Sequence, residues 1–257
     1  MNKKIDELIK NKGRENITGL TAYDYPTAKL VEEAGIDFIL VGDSLGVVVL
    51  GYENPLSVDM AVMLHHSRAV CRGAKNIPII GDMPVNSYRN PNIALKNAQD
   101  FMDTGVDGVK IEGMNIEIVK KLVKNDIPVM GHLGLTPQTI EEYSVQGRDA
   151  ENSKRILREA QALAKAGVFS IVLECISEGL GDKITRSIDI PTIGIGAGRY
   201  TDGQILVIND LLGLFDRYSP KFVKQYIDLR SEIRSAIIDY KVDVKKGKFP
   251  GKENIFK

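Results

Sequence analysis

One short pattern comes round three times in this chain, and it constrains the fold more than any other feature. A stretch of helical character ends in a small residue plus Gly, and a run of β-formers follows that closes on an acid: EAGIDFILVGD (33–43), DTGVDGVKIE (103–112) and KAGVFSIVLE (165–174). Gly35, Gly105 and Gly167 stand where helices should end, because Gly enters the left-handed conformation of a helix terminus without steric penalty. A second pattern alternates with the first: Ile-Pro, two more residues, then Gly, in IPIIGD (77–82), IPVMGH (127–132) and IPTIGI (190–195). Pro at the mouth of a strand removes no ladder bond, and the apolar residues after it suit a strand buried on both faces.

The six strands so marked are joined by stretches of helical period, the pattern of a parallel sheet wound by crossovers. After Ser57, for instance, Met60, Leu64, Ser67 and Cys71 are predicted to share one helical stripe that Gly73 closes. ITGLTAYD (17–24) supplies a strand before the six and QILVIND (204–210) one after. Eight strands in 257 residues predict an α/β protein of the (β/α)8 TIM-barrel type, with an open doubly wound sheet as the rival. Residues 1–257 are expected to form a single domain. The segment 220–243 carries Phe222, Val223, Tyr226, Ile227, Ile233 and Ile237 on one side, which predicts an extra C-terminal helix packing on the barrel or on a neighbouring subunit.

Composition narrows the function classes. The 34 Lys and Arg balance 34 Asp and Glu, so no nucleic-acid or other polyanion partner is expected. The longest apolar runs, such as Phe38 to Val41, fall far short of the roughly 18 residues of a membrane span, and no membrane partner is expected. The first sixteen residues mix charges of both signs without an export core, which predicts a cytoplasmic protein. Cys71 and Cys175 are too few for a disulfide framework or a four-cysteine zinc site.

In a parallel barrel, chemistry is built at the C-terminal ends of the strands. Asp43, Asp82, Glu112, His132 and Glu174 are predicted to close strands 2 to 6 and to gather around one mouth. Unit charges of like sign 4 Å apart repel by about 4 kcal/mol at an effective dielectric near 20, so convergent carboxylates require a cation. Hard oxygen ligands without thiolates favour Mg²⁺. Any one acid is equally well explained as the cap of the following helix; convergence of three strand ends plus a histidine favours a site. Lys110 lies two residues before Glu112, so both should point into the barrel and form at least a buried pair, while Val109 and Ile111 point outward. The glycines of GIGAG (194–198) admit two readings, a phosphate cradle or tight turns. His65 and His66 read as packing or surface residues, and Cys175 as buried filler.

VGDSLG (41–46), GDMP (81–84), VKIEG (109–113), GHLGLTPQ (131–138), VQGR (145–148), VLEC (172–175) and GIGAG followed by TDGQILV (201–207) together resemble the ketopantoate (3-methyl-2-oxobutanoate) hydroxymethyltransferase family, from about Ile17 onward. The resemblance implies a (β/α)8 barrel that transfers a one-carbon unit from 5,10-methylenetetrahydrofolate to 3-methyl-2-oxobutanoate, giving 2-dehydropantoate through an enolate, in pantothenate and coenzyme A synthesis. It implies one Mg²⁺ per subunit at Asp43, Asp82 and Glu112. It further implies oxo-acid contacts from Asp43, Ser44, Asp82 and Lys110, Glu174 as the catalytic proton acceptor, and a homo-oligomer, a decamer. His132 is a possible accessory group.

The chain departs from the family pattern in a shorter loop between Gln138 and Val145, in Ser144 where Lys is usual, and in Asn254 where His is common. Two other classes share parts of the pattern. A lyase or mutase of the phosphoenolpyruvate mutase and isocitrate lyase type would use a KKCG-like loop, which the sequence lacks; a non-catalytic barrel would bind an anion or metal without turnover.

Overall fold

The computed structural model describes residues 2–139, 144–217 and 219–256. In chain order these give α1 (Lys3–Lys10), β1 (Ile17–Thr21), α2 (Tyr25–Glu33), β2 (Phe38–Val41), α3 (Leu45–Val48), α4 (Met60–Gly73), β3 (Ile79–Asp82), α5 (Pro91–Met102), β4 (Gly108–Glu112) and α6 (Ile116–Lys124). There follow β5 (Val129–Gly134), α7 (Ala150–Ala166), β6 (Ser170–Glu174), α8 (Glu178–Ser187), β7 (Thr192–Ile195), β8 (Gly203–Leu206), α9 (Ile208–Leu211) and α10 (Leu229–Lys245). The eight strands pair in sequence order, every pair is parallel, and β8 returns to β1. The fold is therefore a (β/α)8 barrel, as the strand spacing predicts, and the open sheet is excluded.

Local chemistry sets the elements. Asp24, Asp59, Asn90 and Asp149 each accept a hydrogen bond from a first-turn N–H of α2, α4, α5 and α7, satisfying donors that a helix N-terminus leaves unpaired. Gly35, Gly105 and Gly167 have φ of 75, 98 and 101°, the left-handed conformation expected of them. β2, β3, β4 and β5 are buried along their whole length, which explains the unbroken apolar run of β2. The stripe of α4 lies one position round from the expected one: Met63, Ser67, Val70 and Cys71 are buried, whereas Met60 and Leu64 are only partly covered.

The charged N-terminus has a structural role that its composition conceals. Ile5 and Leu8 of α1 enter the core cluster formed by Ile17, Phe38, Ile80, Met130, Phe169, Ile193 and Ile205 at the N-terminal ends of the strands. Around them, Lys4 Nζ lies 3.2 Å from Asp107 Oδ2, Asn2 donates to the same carboxylate at 2.6 Å, and Lys12 Nζ lies 2.8 Å from Asp202 Oδ2. α1 thus plugs the barrel end opposite the expected site.

The chain divides into two compact units, Met1–Val207 and Ile208–Lys257. Within the second, Leu229 N donates to Leu212 O at 3.0 Å and Arg230 pairs with Asp216 at 3.0 Å. The helix expected over 220–243 begins only at Leu229, because Asp228 accepts from Ser231 N and caps it there, and no residue of α10 is buried. Asn254, one of the departures from the family pattern, turns back on its own segment and accepts from Gly251 N at 3.1 Å. No helix among the described residues is long and apolar enough to cross a membrane.

Candidate active site

The barrel register brings the expected acids to one mouth. Asp82 ends β3, Glu112 ends β4 and Glu174 ends β6. Asp43 lies two residues past the end of β2, whereas His132 sits inside β5, two residues before its end, paired in register with Glu112. Asp43, Ser44, Asp82, Lys110, Glu112, His132 and Glu174 all line one cavity of about 190 Å³. Leu40, Val47, Val172, Ile195 and Ile205 supply its apolar wall. A volume this small, below the few hundred Å³ typical of drug-sized ligands, suits a small organic acid.

Lys110 points inward as expected, but its partner is Asp82 rather than Glu112. Its Nζ lies 2.5 Å from Asp82 Oδ1, and both side chains are almost fully buried. The physical reason is the parallel ladder: Asp82 is the register neighbour of Lys110 on the adjacent strand, roughly 4.8 Å away, whereas same-face residues along one strand are separated by roughly 6.6 Å. Burial works against the Lys110 ammonium, yet Asp82 and Asp43 outweigh it and hold the group above its ordinary value. The other oxygen of Asp82 accepts from Asp43 N at 3.1 Å.

Asp43 is the strained charge of the set. Burial, then the neighbouring Asp82, push its carboxyl up to about 7, opposed by Lys110 and by a hydrogen bond from Gln138. His132 bridges the remaining acids, with Nδ1 3.4 Å from Glu112 Oε2 and Nε2 3.1 Å from Glu174 Oε2. Neither nitrogen is aligned as a hydrogen-bond donor, so the contacts are charge attraction rather than directed bonds. Burial and Lys110 lower the imidazole, but Glu112 and Glu174 prevail and raise it to about 9. Four acidic side chains therefore share the mouth with Lys110 and His132.

Hard oxygen donors with a remaining negative charge fit a divalent cation in chemistry and in sign. Among the described residues no three His, Cys, Asp or Glu side chains are gathered closely enough to hold an ion as they stand. Asp82 is engaged by Lys110, and Asp43 and Glu112 by Gln138, so binding an ion would require these carboxylates to turn toward one another.

Sequence reasoning passed over three polar residues here. Tyr23 exchanges a hydrogen bond with Ser44 Oγ at 2.9 Å, and Tyr88 donates to Gln138 Oε1, which in turn reaches Asp43. Tyr88 and Gln138 stand in loops, where no periodic signal marks them, and Tyr23, two residues past β1, carries no charge to single it out. The loop expected over the site, 138–145, includes residues 140–143, which lie outside the described residues; Ser144 is exposed. Cys175 is not core filler: the strand stops at Glu174, and Cys175 is half-buried at φ 46°, its thiol pushed up to about 11 by burial and by Glu174. His66 approaches Tyr23 O at 2.6 Å through Nδ1, a packing role as expected, and His65 is exposed. The GIGAG turn is taken up by packing, with Gly198 at φ 82° against Glu178 and Arg199 paired to Glu178 at 2.8 Å.

Comparison with known proteins adds independent information. A family model described as ketopantoate hydroxymethyltransferase matches residues 2–252. A protein of Kosmotoga olearia named 3-methyl-2-oxobutanoate hydroxymethyltransferase is 51% identical over 98% of this chain and 97% of its own. Proteins of the same name from Clostridium kluyveri (53% identical; 95% of this chain, 89% of its own) and Syntrophomonas wolfei (49%; 96% and 92%) are similar to the same extent. Among solved structures, an oxaloacetate acetylhydrolase with its product oxalate aligns at a TM-score of 0.65 and 13% identity, over 97% of this chain and 88% of its own. A phosphoenolpyruvate phosphomutase from Streptomyces platensis aligns at 0.64 and 14%, over 95% and 87%. At that identity these two share the fold alone.

Proposed function

The chain belongs to the ketopantoate hydroxymethyltransferase family, and from that premise we propose that it moves a hydroxymethyl group from 5,10-methylenetetrahydrofolate to 3-methyl-2-oxobutanoate, giving 2-dehydropantoate in pantothenate and coenzyme A synthesis. The observation that carries the proposal is the convergence of Asp43, Asp82, Glu112, Lys110 and Glu174 on one small cavity with an apolar wall. Asp43, Asp82 and Glu112 would hold one Mg²⁺. That ion would polarise the carbonyl of the oxo acid and offset the negative charge that appears when the C–H beside it is removed.

The chain's own residues then divide the work. Lys110, with Ser44, Asp43 and Asp82 around it, meets the carboxylate and oxo group of the substrate, while Leu40, Val47 and Ile205 cover its branched alkyl end. Glu174 takes the proton from C3. Its side chain is 21% exposed, against 2% for Asp82 and 3% for Glu112, and His132 holds it from one side. Loss of the proton leaves an enolate whose C3 bonds to the folate-bound methylene carbon; water supplies the hydroxyl, both carbon–nitrogen bonds to that carbon break, and tetrahydrofolate leaves with the proton from C3 and the second proton of the water on its nitrogens. The family resemblance supports a homo-oligomer, a decamer, working in the cytoplasm.

Proton removal is separable from transfer. Protein, Mg²⁺ and 3-methyl-2-oxobutanoate in deuterated water, without folate, should lose the C3 proton signal. Glu174→Gln keeps the shape but cannot accept a proton, so exchange should fall by a factor of about 10² to 10⁴. Exchange at the wild-type rate would remove Glu174 from the role of base.

A further inference from the structure

Gln138 makes more polar contacts inside the site than any of the acids it touches. Its Nε2 donates to Asp43 Oδ2 at 2.8 Å and to Met83 O at 3.2 Å, its Oε1 accepts from the Tyr88 hydroxyl, and its backbone N–H donates to Glu112 Oε1 at 3.0 Å. The residue is 7% exposed. It stands 95 positions from Asp43 and 26 from Glu112, yet it joins them through one residue.

The amide can face only one way. Met83 O and the Asp43 carboxylate accept hydrogen bonds and cannot donate them, so a flipped amide would set its own oxygen against two acceptors. Tyr88 completes the arrangement by donating to the oxygen that points away. All three polar groups of the side chain are thereby committed, and a buried group so constrained fixes the orientation of whatever it touches.

We propose that Gln138 is a positioning residue for the divalent cation: its amide and its backbone N–H restrict the orientations from which the carboxylates of Asp43 and Glu112 turn toward the ion, and Tyr88 acts through it. The inference rests on the assignment of Asp43, Asp82 and Glu112 to that cation. The bland alternative is that Gln138 only fastens the loop after β5, in which case its loss would lower the melting temperature and leave cation affinity alone.

The two are told apart by titrating Mg²⁺ into substrate-free protein by calorimetry, with Mn²⁺ counted by electron paramagnetic resonance. Gln138→Met fills the same space without donors and keeps the backbone N–H to Glu112, so of the two carboxylate contacts it removes only that to Asp43, together with the bonds to Met83 and Tyr88. Affinity should fall by about 10- to 100-fold, the usual cost of removing an outer partner of a ligand. Tyr88→Phe should weaken binding in the same direction but less, since Met83 O still orients the amide, and it carries the test if Gln138→Met does not fold. Glu112→Gln serves as the reference. Wild-type affinity in both Gln138→Met and Tyr88→Phe, alongside a loss in Glu112→Gln, would overturn the positioning role. Wild-type affinity in Glu112→Gln and Asp82→Asn as well would overturn the cation assignment itself, and the inference with it.

Discussion

Helices α7 and α10 are both 17 residues long, and each is started by an aspartate that accepts from a first-turn N–H, Asp149 in one and Asp228 in the other. Their surroundings differ completely. α7 buries Ile156, Ala160, Leu163 and Ala166, while α10 buries nothing and leaves Ile233, Ile237, Ile238 and Tyr240 exposed. Length, cap and apolar content are therefore enough to write a helix, and only a partner surface pins it. The barrel unit supplies such surfaces for each of its crossover helices.

The contrast can be broken first at the barrel. Phe101 of α5 is fully buried, and its ring occupies the space that Gly81 on β3 leaves by having no side chain. Phe101→Ala should cost about 3 to 5 kcal/mol in denaturant unfolding, and a loss below 1 kcal/mol would mean that the barrel wall is not close-packed there.

A smaller effect sharpens the same contrast through chemistry. Burial, then Asp107, push the Cys71 thiol up to about 11, so at pH 8 about one thiol in a thousand is the reactive thiolate. Raising the pH toward 11 should speed its alkylation, and at pH 8 the folded protein should react about 10²-fold more slowly than the same protein in urea. Equal rates would place Cys71 on an opening segment rather than in a fixed wall.

Least of all should be felt at α10. Ile237 is 61% exposed, so Ile237→Ser should change the unfolding free energy of the chain by less than about 0.5 kcal/mol. A larger loss would mean that a surface outside the single chain covers this helix.

What the sequence disclosed, and what it concealed, divides along the same physical lines. Strand existence was legible because burial on both faces leaves runs such as Phe38 to Val41 and a glycine before them. Asp82, Glu112 and Glu174 were legible as strand ends because each closes a run of β-formers, and it was their convergence rather than any one of them that marked a site. Pairing was not legible: that Lys110 meets Asp82 depends on the offset between two strands, a quantity no single stretch of chain contains. Gln138 and Tyr88 lie in loops, where no period exists to mark a polar side chain as buried. α1 was overlooked because only Ile5 and Leu8 carry its burial, amid charges that turned out to be anchors.

Those anchors have a consequence for how the chain is made. α1 leaves the ribosome before any strand of the barrel, but its Lys4 closes on Asp107, before β4, and Lys12, just past the helix, closes on Asp202, just before β8. This segment cannot find its full set of partners until the last strand of the ring has been synthesised. Until then Ile5 and Leu8 have only part of the hydrophobic surface that will cover them. Capping of the barrel thus doubles as a completeness check: a polypeptide cut short before residue 202 would carry its defect at the other end of the barrel sequence, as an unlatched α1 that proteases and chaperones can read.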